Sequence, residues 1–141
     1  MNLEEIMNKT VVTVEMDDSL EKVQKIFENL RFHHLLVVES DELVGVISDR
    51  DLLKALSPNI GTVAETTRDT ATLKKKVHQI MTRKLVTLGP KAGIYDAIEV
   101  FNNQNISCIP VVDGENRPVG ILSWRDILKW IWTDGGIPAK R

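Results

Sequence analysis

Gly45-Val46-Ile47-Ser48-Asp49-Arg50-Asp51-Leu52-Leu53-Lys54 decides the reading, because the chain writes it twice. The second copy is Gly120-Ile121-Leu122-Ser123-Trp124-Arg125-Asp126-Ile127-Leu128-Lys129. A glycine, branched apolar residues, Ser-x-Arg-Asp and an apolar run ending in lysine predict a buried strand entering the first turn of a helix. Backbone N–H groups at a helix start are unpaired and carry about half a positive charge, which suits a phosphate. Ser48 and Ser123 add a hydroxyl, and Arg50 and Arg125 a cation. Asp51 and Asp126 are acceptors for neighbouring hydroxyls such as those of a ribose. Ser-x-x-Asp before an apolar run is equally a plain capping box. The two roles are compatible, since both use the same N–H groups.

The repeat extends outward from this stretch. Ile80-Met81 lies 74 residues after Ile6-Met7. The same spacing relates Val12-Thr13 to Val86-Thr87, Phe27 to Phe101, Asn29 to Asn103 and Val37-Val38 to Val111-Val112. Gly120 lies 75 residues after Gly45, so one residue is gained in the turn Gly114-Glu115-Asn116-Arg117 relative to Ser40-Asp41-Glu42. Turns tolerate such a slip.

Each copy predicts the same elements. Thr10 to Val14 is β-branched and reads as a strand. Asp18 is expected to begin a helix, with Glu21 as its capping partner and Leu20, Val23, Phe27 and Leu30 at helical spacing. Leu35 to Glu39 and Leu43 to Ile47 are strands of a hairpin joined by Ser40-Asp41-Glu42. Asp49 to Leu56 is a helix stopped by Pro58. In copy two the helical face is Ile94, Ala97, Ile98 and Phe101, and the hairpin strands are Ile109 to Asp113 and Val119 to Ser123. The fold class is α/β, two pseudo-symmetric β-α-β-β-α units. Residues 1–57 form repeat one, 58–76 a linker, 77–134 repeat two and 135–141 a loose tail. The linker region could hold a helix from Thr70 to Gln79, on which Lys74-Lys75-Lys76 reads as a solvated face. Gly135-Gly136 is expected to end the last helix.

Composition sets limits. The chain has 141 residues, 43% apolar and 27% charged, with a net charge of −2. No broad basic field attracts nucleic acid or an anionic membrane. No apolar run approaches the roughly 20 residues that span a bilayer, and Met1 to Glu5 lacks the character of a signal peptide. The single cysteine makes no internal disulfide, and a cytoplasmic location is expected. Neither Gly-x-Gly-x-x-Gly, a P-loop nor a nucleophile elbow occurs, so no catalytic residue is assigned. Cys108 reads as a packing residue. His33 and His34, adjacent on a strand, point to opposite faces and make no metal site. Trp130 and Trp132, two apart on a helix, diverge by about 200°, so at least one is expected to be exposed. Leu20, Ile26, Phe27, Ile94, Ile98 and Phe101 add more apolar surface than one sheet face hides, which points to an interface.

The paired arrangement resembles a tandem pair of cystathionine-β-synthase (CBS) domains, a Bateman module. The resemblance covers nearly the whole chain. It rests on Ile6-Met7 and Ile80-Met81, on Val12-Thr13 and Val86-Thr87, on Ile106-Ser107-Cys108-Ile109-Pro110-Val111-Val112-Asp113, and on Gly-x-x-Ser-x-Arg-Asp in both copies. It implies two β-α-β-β-α units and a regulatory, non-catalytic role. It also implies an adenosine-containing ligand (AMP, ADP, ATP or S-adenosylmethionine), with AMP or ATP foremost and no catalytic cofactor. Carried over crosswise, one site uses Val46, Ser48, Arg50 and Asp51 with Val86, Ile106, Ser107 and Cys108. The other uses Ile121, Ser123, Arg125 and Asp126 with Val12, Phe32, His33 and His34. Asp51 is expected on the ribose, Ser48 and Arg50 on the phosphate, and Val46, Val86 and Ile106 around the adenine.

Two departures stand out. Arg31-Phe32-His33-His34 replaces a small residue and proline, and two imidazoles there could narrow the second site or touch phosphate. Trp124 stands where copy one has Asp49, so the Asp51 site is favoured. The resemblance further implies a homodimer through helices. With no output domain in these residues, the regulated partner is expected to be a separate protein. The competing reading is a structural dimerisation module that has lost its ligand.

Overall fold

A computed structural model describes residues 1–135; Gly136 and the tail lie outside the described residues. These form two compact units: Val12–Leu85, and Met1–Val11 together with the chain from Val86 onward.

The first unit is built on a three-stranded sheet in the order β1-β2-β3: β1 (Thr13–Glu15), β2 (His34–Glu39) and β3 (Glu42–Ser48). β1 runs parallel to β2, pairing Val14 with Val37, while β2 and β3 are antiparallel. Ser40 and Asp41 both have positive φ, at 50° and 67°, the backbone of a tight two-residue hairpin. α1 (Leu20–Asn29) buries Leu20 and Val23 against Val14, Leu35, Val37 and Ile47. α2 (Asp49–Ala55) adds Leu52. Leu56 leaves the helix with ψ 147°, two residues before Pro58.

Three expectations change in this unit. The strand expected from Thr10 begins at Thr13. Helix α1 starts after Ser19, whose Oγ accepts from Lys22 N at 3.3 Å. Asp18 is unavailable as the cap because its carboxylate accepts from Glu15 N at 2.7 Å. Glu21 instead pairs with Lys25 one turn on, at 3.3 Å. The helix expected from Thr70 lies earlier, as α3 (Thr67–Ala71), capped by Thr66 Oγ1 and Asp69. Two 3₁₀ turns, Thr72–Lys74 and Val77–Gln79, follow it. Lys74, Lys75 and Lys76 are exposed, as a solvated face requires.

The second unit contains α4 (Ile94–Asn103), the antiparallel hairpin of β4 (Cys108–Val112) and β5 (Pro118–Ser123), and α5 (Trp124–Trp130). α5 continues into a π-helical turn, Ile131–Gly135. The strand expected at Val86-Thr87 reduces to one parallel bridge, Leu88 to Val111. Leu3, Ala97, Phe101, Ile109, Val111, Leu122 and Ile127 make the core. Leu20, Ile94 and Phe101 are thus buried within their own units, so the apolar surplus expected of them is already covered. The large exposed apolar side chains are others: Leu53, Tyr95, Trp124, Leu128 and Trp132 among them.

The sequence repeat and the compact unit are different stretches of chain. Ile80-Met81-Thr82 packs in the first unit, where Thr82 and Val46 exchange backbone hydrogen bonds of 2.8 and 3.0 Å. Ile6-Met7-Asn8 packs in the second, where Asn8 and Ile121 do the same at 2.9 and 3.0 Å. Each methionine lies across a strand glycine. A Cβ on Gly45 would stand 2.7 Å from Met81 Sδ, and one on Gly120 would run into Met7. These glycines admit the neighbouring chain. Gly120→Ala should therefore lose about 1–3 kcal/mol of stability, the usual cost of overpacking. Much of the loss should return in Gly120→Ala/Met7→Ala. Denaturant titration of the single and double variants measures this, and equal losses in both would refute the close packing.

Candidate functional site

The strand–helix junction is formed twice. In the first unit Ser48 Oγ accepts from Asp51 N at 3.1 Å, and Asp51 Oδ2 accepts from Ser48 N at 3.0 Å. This reciprocal box fixes the carboxylate at the start of α2. In the second unit Asp126 Oδ2 accepts from Ser123 N at 2.8 Å and from Ser123 Oγ at 3.1 Å. The serines thus differ: Ser48 Oγ acts as an acceptor and keeps its proton to give, whereas Ser123 gives its proton to Asp126. Arg50 and Arg125 are exposed, and neither has an ion pair among the described residues. Two unpaired guanidinium groups beside helix starts are suited to an anion.

Within each unit the junction lies beside the start of the same copy's hairpin. His34 is the cross-strand partner of Ser48, and Cys108 of Ser123. The register places His33 opposite Asp49. Asp49 N donates to His33 O at 3.0 Å, and His33 Nδ1 lies 2.9 Å from Asp49 Oδ2. In the second unit Trp124 Nε1 donates to Ile106 O at 3.3 Å, and its ring lies 5.6 Å from that of Phe101. The first unit therefore contains Val46, Ser48, Arg50 and Asp51 as well as Val12, Phe32, His33 and His34, and pairs Ser48 and Asp49 with His34 and His33. The second contains Ile121, Ser123, Arg125 and Asp126 as well as Val86, Ile106, Ser107 and Cys108, and pairs Ser123 with Cys108 and Trp124 with Ile106. Each set joins halves that the crosswise assignment places in different sites.

Burial holds His34 below the usual imidazole range, against the opposing pull of the Asp49 and Asp51 charges. Burial pushes the Cys108 thiol up to about 12, which leaves almost no thiolate at neutral pH and makes it a packing residue in this unit. No group of three or more His, Cys, Asp or Glu side chains among the described residues could hold a metal ion. A shallow groove on α1, lined by Ser19, Lys22, Ile26, Asn29 and Leu30 among others, shares no residue with either junction. No described helix is long and apolar enough to cross a membrane.

The CBS domain family model matches residues 3–58 and 77–133. The chain belongs to the CBS domain family. It holds a tandem pair of such domains, and the mixed α/β architecture is that of CBS domain pairs. The chain is 32% identical over 127 residues to inosine-5′-monophosphate dehydrogenase of Methanocaldococcus jannaschii, covering 89% of this chain and 23% of that one. It spans less than half the length of the first curated relatives it matches, 37% in one case. It is similar in structure to the CBS domain pair of protein MJ0100 in complex with 5′-methylthioadenosine and S-adenosyl-L-methionine. That similarity has a TM-score of 0.75 at 28% identity, over 96% of this chain and 98% of that one. The cytosolic domain of the Mg²⁺ channel MgtE, in complex with ATP, has a TM-score of 0.69 at 25% identity, over 88% of this chain and 46% of that one. Known members of this fold thus hold adenosyl ligands both with and without phosphates.

Proposed function

We propose that this CBS pair binds an adenosine-containing nucleotide, AMP or ATP foremost, and regulates a separate protein through that binding. The observation that carries the reading is the duplicated junction: a boxed Asp, an unpaired Arg and a Ser hydroxyl at a helix start, formed independently in each unit. Asp51 and Asp126 hold the ribose hydroxyls, and Ser48 with Arg50, and Arg125 at the second junction, hold the phosphate. Val46 and Val12 in the first unit, and Ile121, Val86 and Ile106 in the second, offer apolar faces to the base. Ser107 and Cys108 offer backbone groups to its edge, as do Phe32, His33 and His34. The first junction is the stronger, because the Ser48 hydroxyl still has its proton to donate. The ligand acts as a regulator: the residues at both junctions supply anion and hydroxyl recognition. Calorimetric titration with adenosyl ligands tests the reading.

We further propose a homodimer built on α5. Trp124, Leu128 and Trp132 are spaced four apart, so they share one face, and their exposures are 52%, 59% and 62%. Tyr95 of α4, 74% exposed, lies edge-on to Trp130 at 6.4 Å. A stripe of this size commonly marks an interface, and a symmetric dimer covers it with its own copy. Sedimentation at micromolar concentration should give about twice the 15.9 kDa chain mass, and Leu128→Glu should halve it. A monomer mass for the unaltered chain would refute the dimer.

A further inference from the structure

The two junctions are tied down by different chemistry, and that difference bears on which ligands each accepts. In both copies the first residue of the helix reaches back to the segment ahead of the hairpin. In the second unit the tie is Trp124 Nε1 to Ile106 O, which has no titratable group. In the first it is Asp49 Oδ2 to His33 Nδ1 at 2.9 Å. Asp49 adds a second carboxylate beside Asp51, against the single cation Arg50. With His33 neutral, the first junction carries a surplus negative charge that the second, with Arg125 and Asp126, does not.

We propose that the His33–Asp49 pair sets the first junction's selectivity between phosphorylated and phosphate-free adenosyl ligands, favouring the phosphorylated ones when His33 is protonated. This rests on the nucleotide reading above. Histidine is the side chain whose ordinary titration falls between about pH 5 and 8. His33 is open to solvent, its side chain 75% exposed, so protons reach it freely. Protonated, it neutralises Asp49 and removes the repulsion that the carboxylate exerts on an incoming phosphate. His34 on β2 and Asp51 on α2 interact electrostatically with the pair, and Arg50 follows Asp49 in the chain; Ser48, at the end of β3, brings no charge. Burial lowers His34 against the opposing pull of Asp49 and Asp51, so it is the less ready of the two imidazoles to take a proton. The sign follows: affinity for a phosphorylated ligand rises when His33 carries a proton and neutralises Asp49, while a ligand without phosphate gains nothing from it.

The test is calorimetric titration of the full chain with ATP and with 5′-methylthioadenosine, at pH 8 and pH 6, for the unaltered protein, His33→Gln and Asp49→Asn. Comparison between variants cancels the titration of ATP itself. The unaltered protein should gain about 3- to 10-fold in ATP affinity at pH 6 over and above His33→Gln, the size expected of one charge a few ångströms away in a solvated site. Asp49→Asn should bind ATP at pH 8 about as tightly as the unaltered protein does at pH 6. For methylthioadenosine, each of the three proteins should show no change in its own affinity between pH 8 and pH 6. If His33→Gln keeps the full pH dependence for ATP while binding persists, this inference fails and the nucleotide reading stands. If neither ligand binds at either pH, this inference fails, and the nucleotide reading fails with it when AMP, ADP and S-adenosylmethionine also give no heat.

Discussion

Leu3→Ala should destabilise the protein by about 2–5 kcal/mol, the range for truncating a fully buried leucine. Leu3 is 0% exposed and packs with Ala97, Phe101, Ile109, Val111, Leu122 and Ile127, more than 90 residues away in sequence. Its backbone N donates to Ala92 O at 3.0 Å, and Glu4 N to Pro90 O at 3.1 Å. The first residues are thus structural members of the second unit. Small domains have about 5–15 kcal/mol to lose, so a single methyl-rich side chain near the N-terminus controls a large share of that unit's stability. Denaturant unfolding should show the loss, and Val63→Ala, at a fully exposed position, should leave stability unchanged. A Leu3→Ala variant as stable as the unaltered protein would contradict the packing.

Asp51→Ala should weaken nucleotide binding at the first junction by about 1.5–3 kcal/mol, the scale for hydrogen bonds to a charged group. That is roughly a 10- to 150-fold rise in Kd. Asp126→Ala should leave that junction unchanged and reduce binding at the other. Both substitutions also remove a helix cap, worth about 1 kcal/mol of stability by itself, so each variant needs its own melting curve. Asp51→Asn separates the two effects, since Asn can still accept from Ser48 N at the cap while losing the charge that a ribose hydroxyl pair prefers. Unchanged affinity and stoichiometry in Asp51→Ala and Asp126→Ala together would remove both carboxylates from the site.

Most of the fold is legible in the sequence because the decisive signals are local. The hairpins announce themselves through apolar runs on either side of Ser40-Asp41 and Gly114 to Arg117, and the helices through Ser48-x-x-Asp51 and Ser123-x-x-Asp126. Local competition is harder to judge. Asp18 and Ser19 are both good caps, and Ser19 takes the role only because Asp18 is held by the preceding turn. Thr66-x-x-Asp69 is a capping box of the same form as the others, and reading it would have placed α3.

Long-range contacts are the least visible. That Met81 crosses Gly45, and Met7 crosses Gly120, follows from no spacing rule. A glycine inside a strand pattern was the one available sign of a close neighbour. The His33–Asp49 pair lies between these extremes. Sixteen residues separate the partners, yet once the hairpin register sets His34 opposite Ser48, the next residues out must meet. The composition of the junctions was readable, but the direction of the Ser48 and Ser123 hydroxyls depends on backbone details that the two near-identical sequences do not reveal.

Calorimetric titration of the protein with AMP, ADP, ATP, S-adenosylmethionine and 5′-methylthioadenosine tests the central claim most directly. The account predicts saturable binding of at least one of them with a Kd in the micromolar range, roughly −8 kcal/mol, weakened by Asp51→Ala. No heat and no thermal stabilisation with any of the five would contradict it, and would leave the duplicated Ser-x-Arg-Asp as a pair of helix caps.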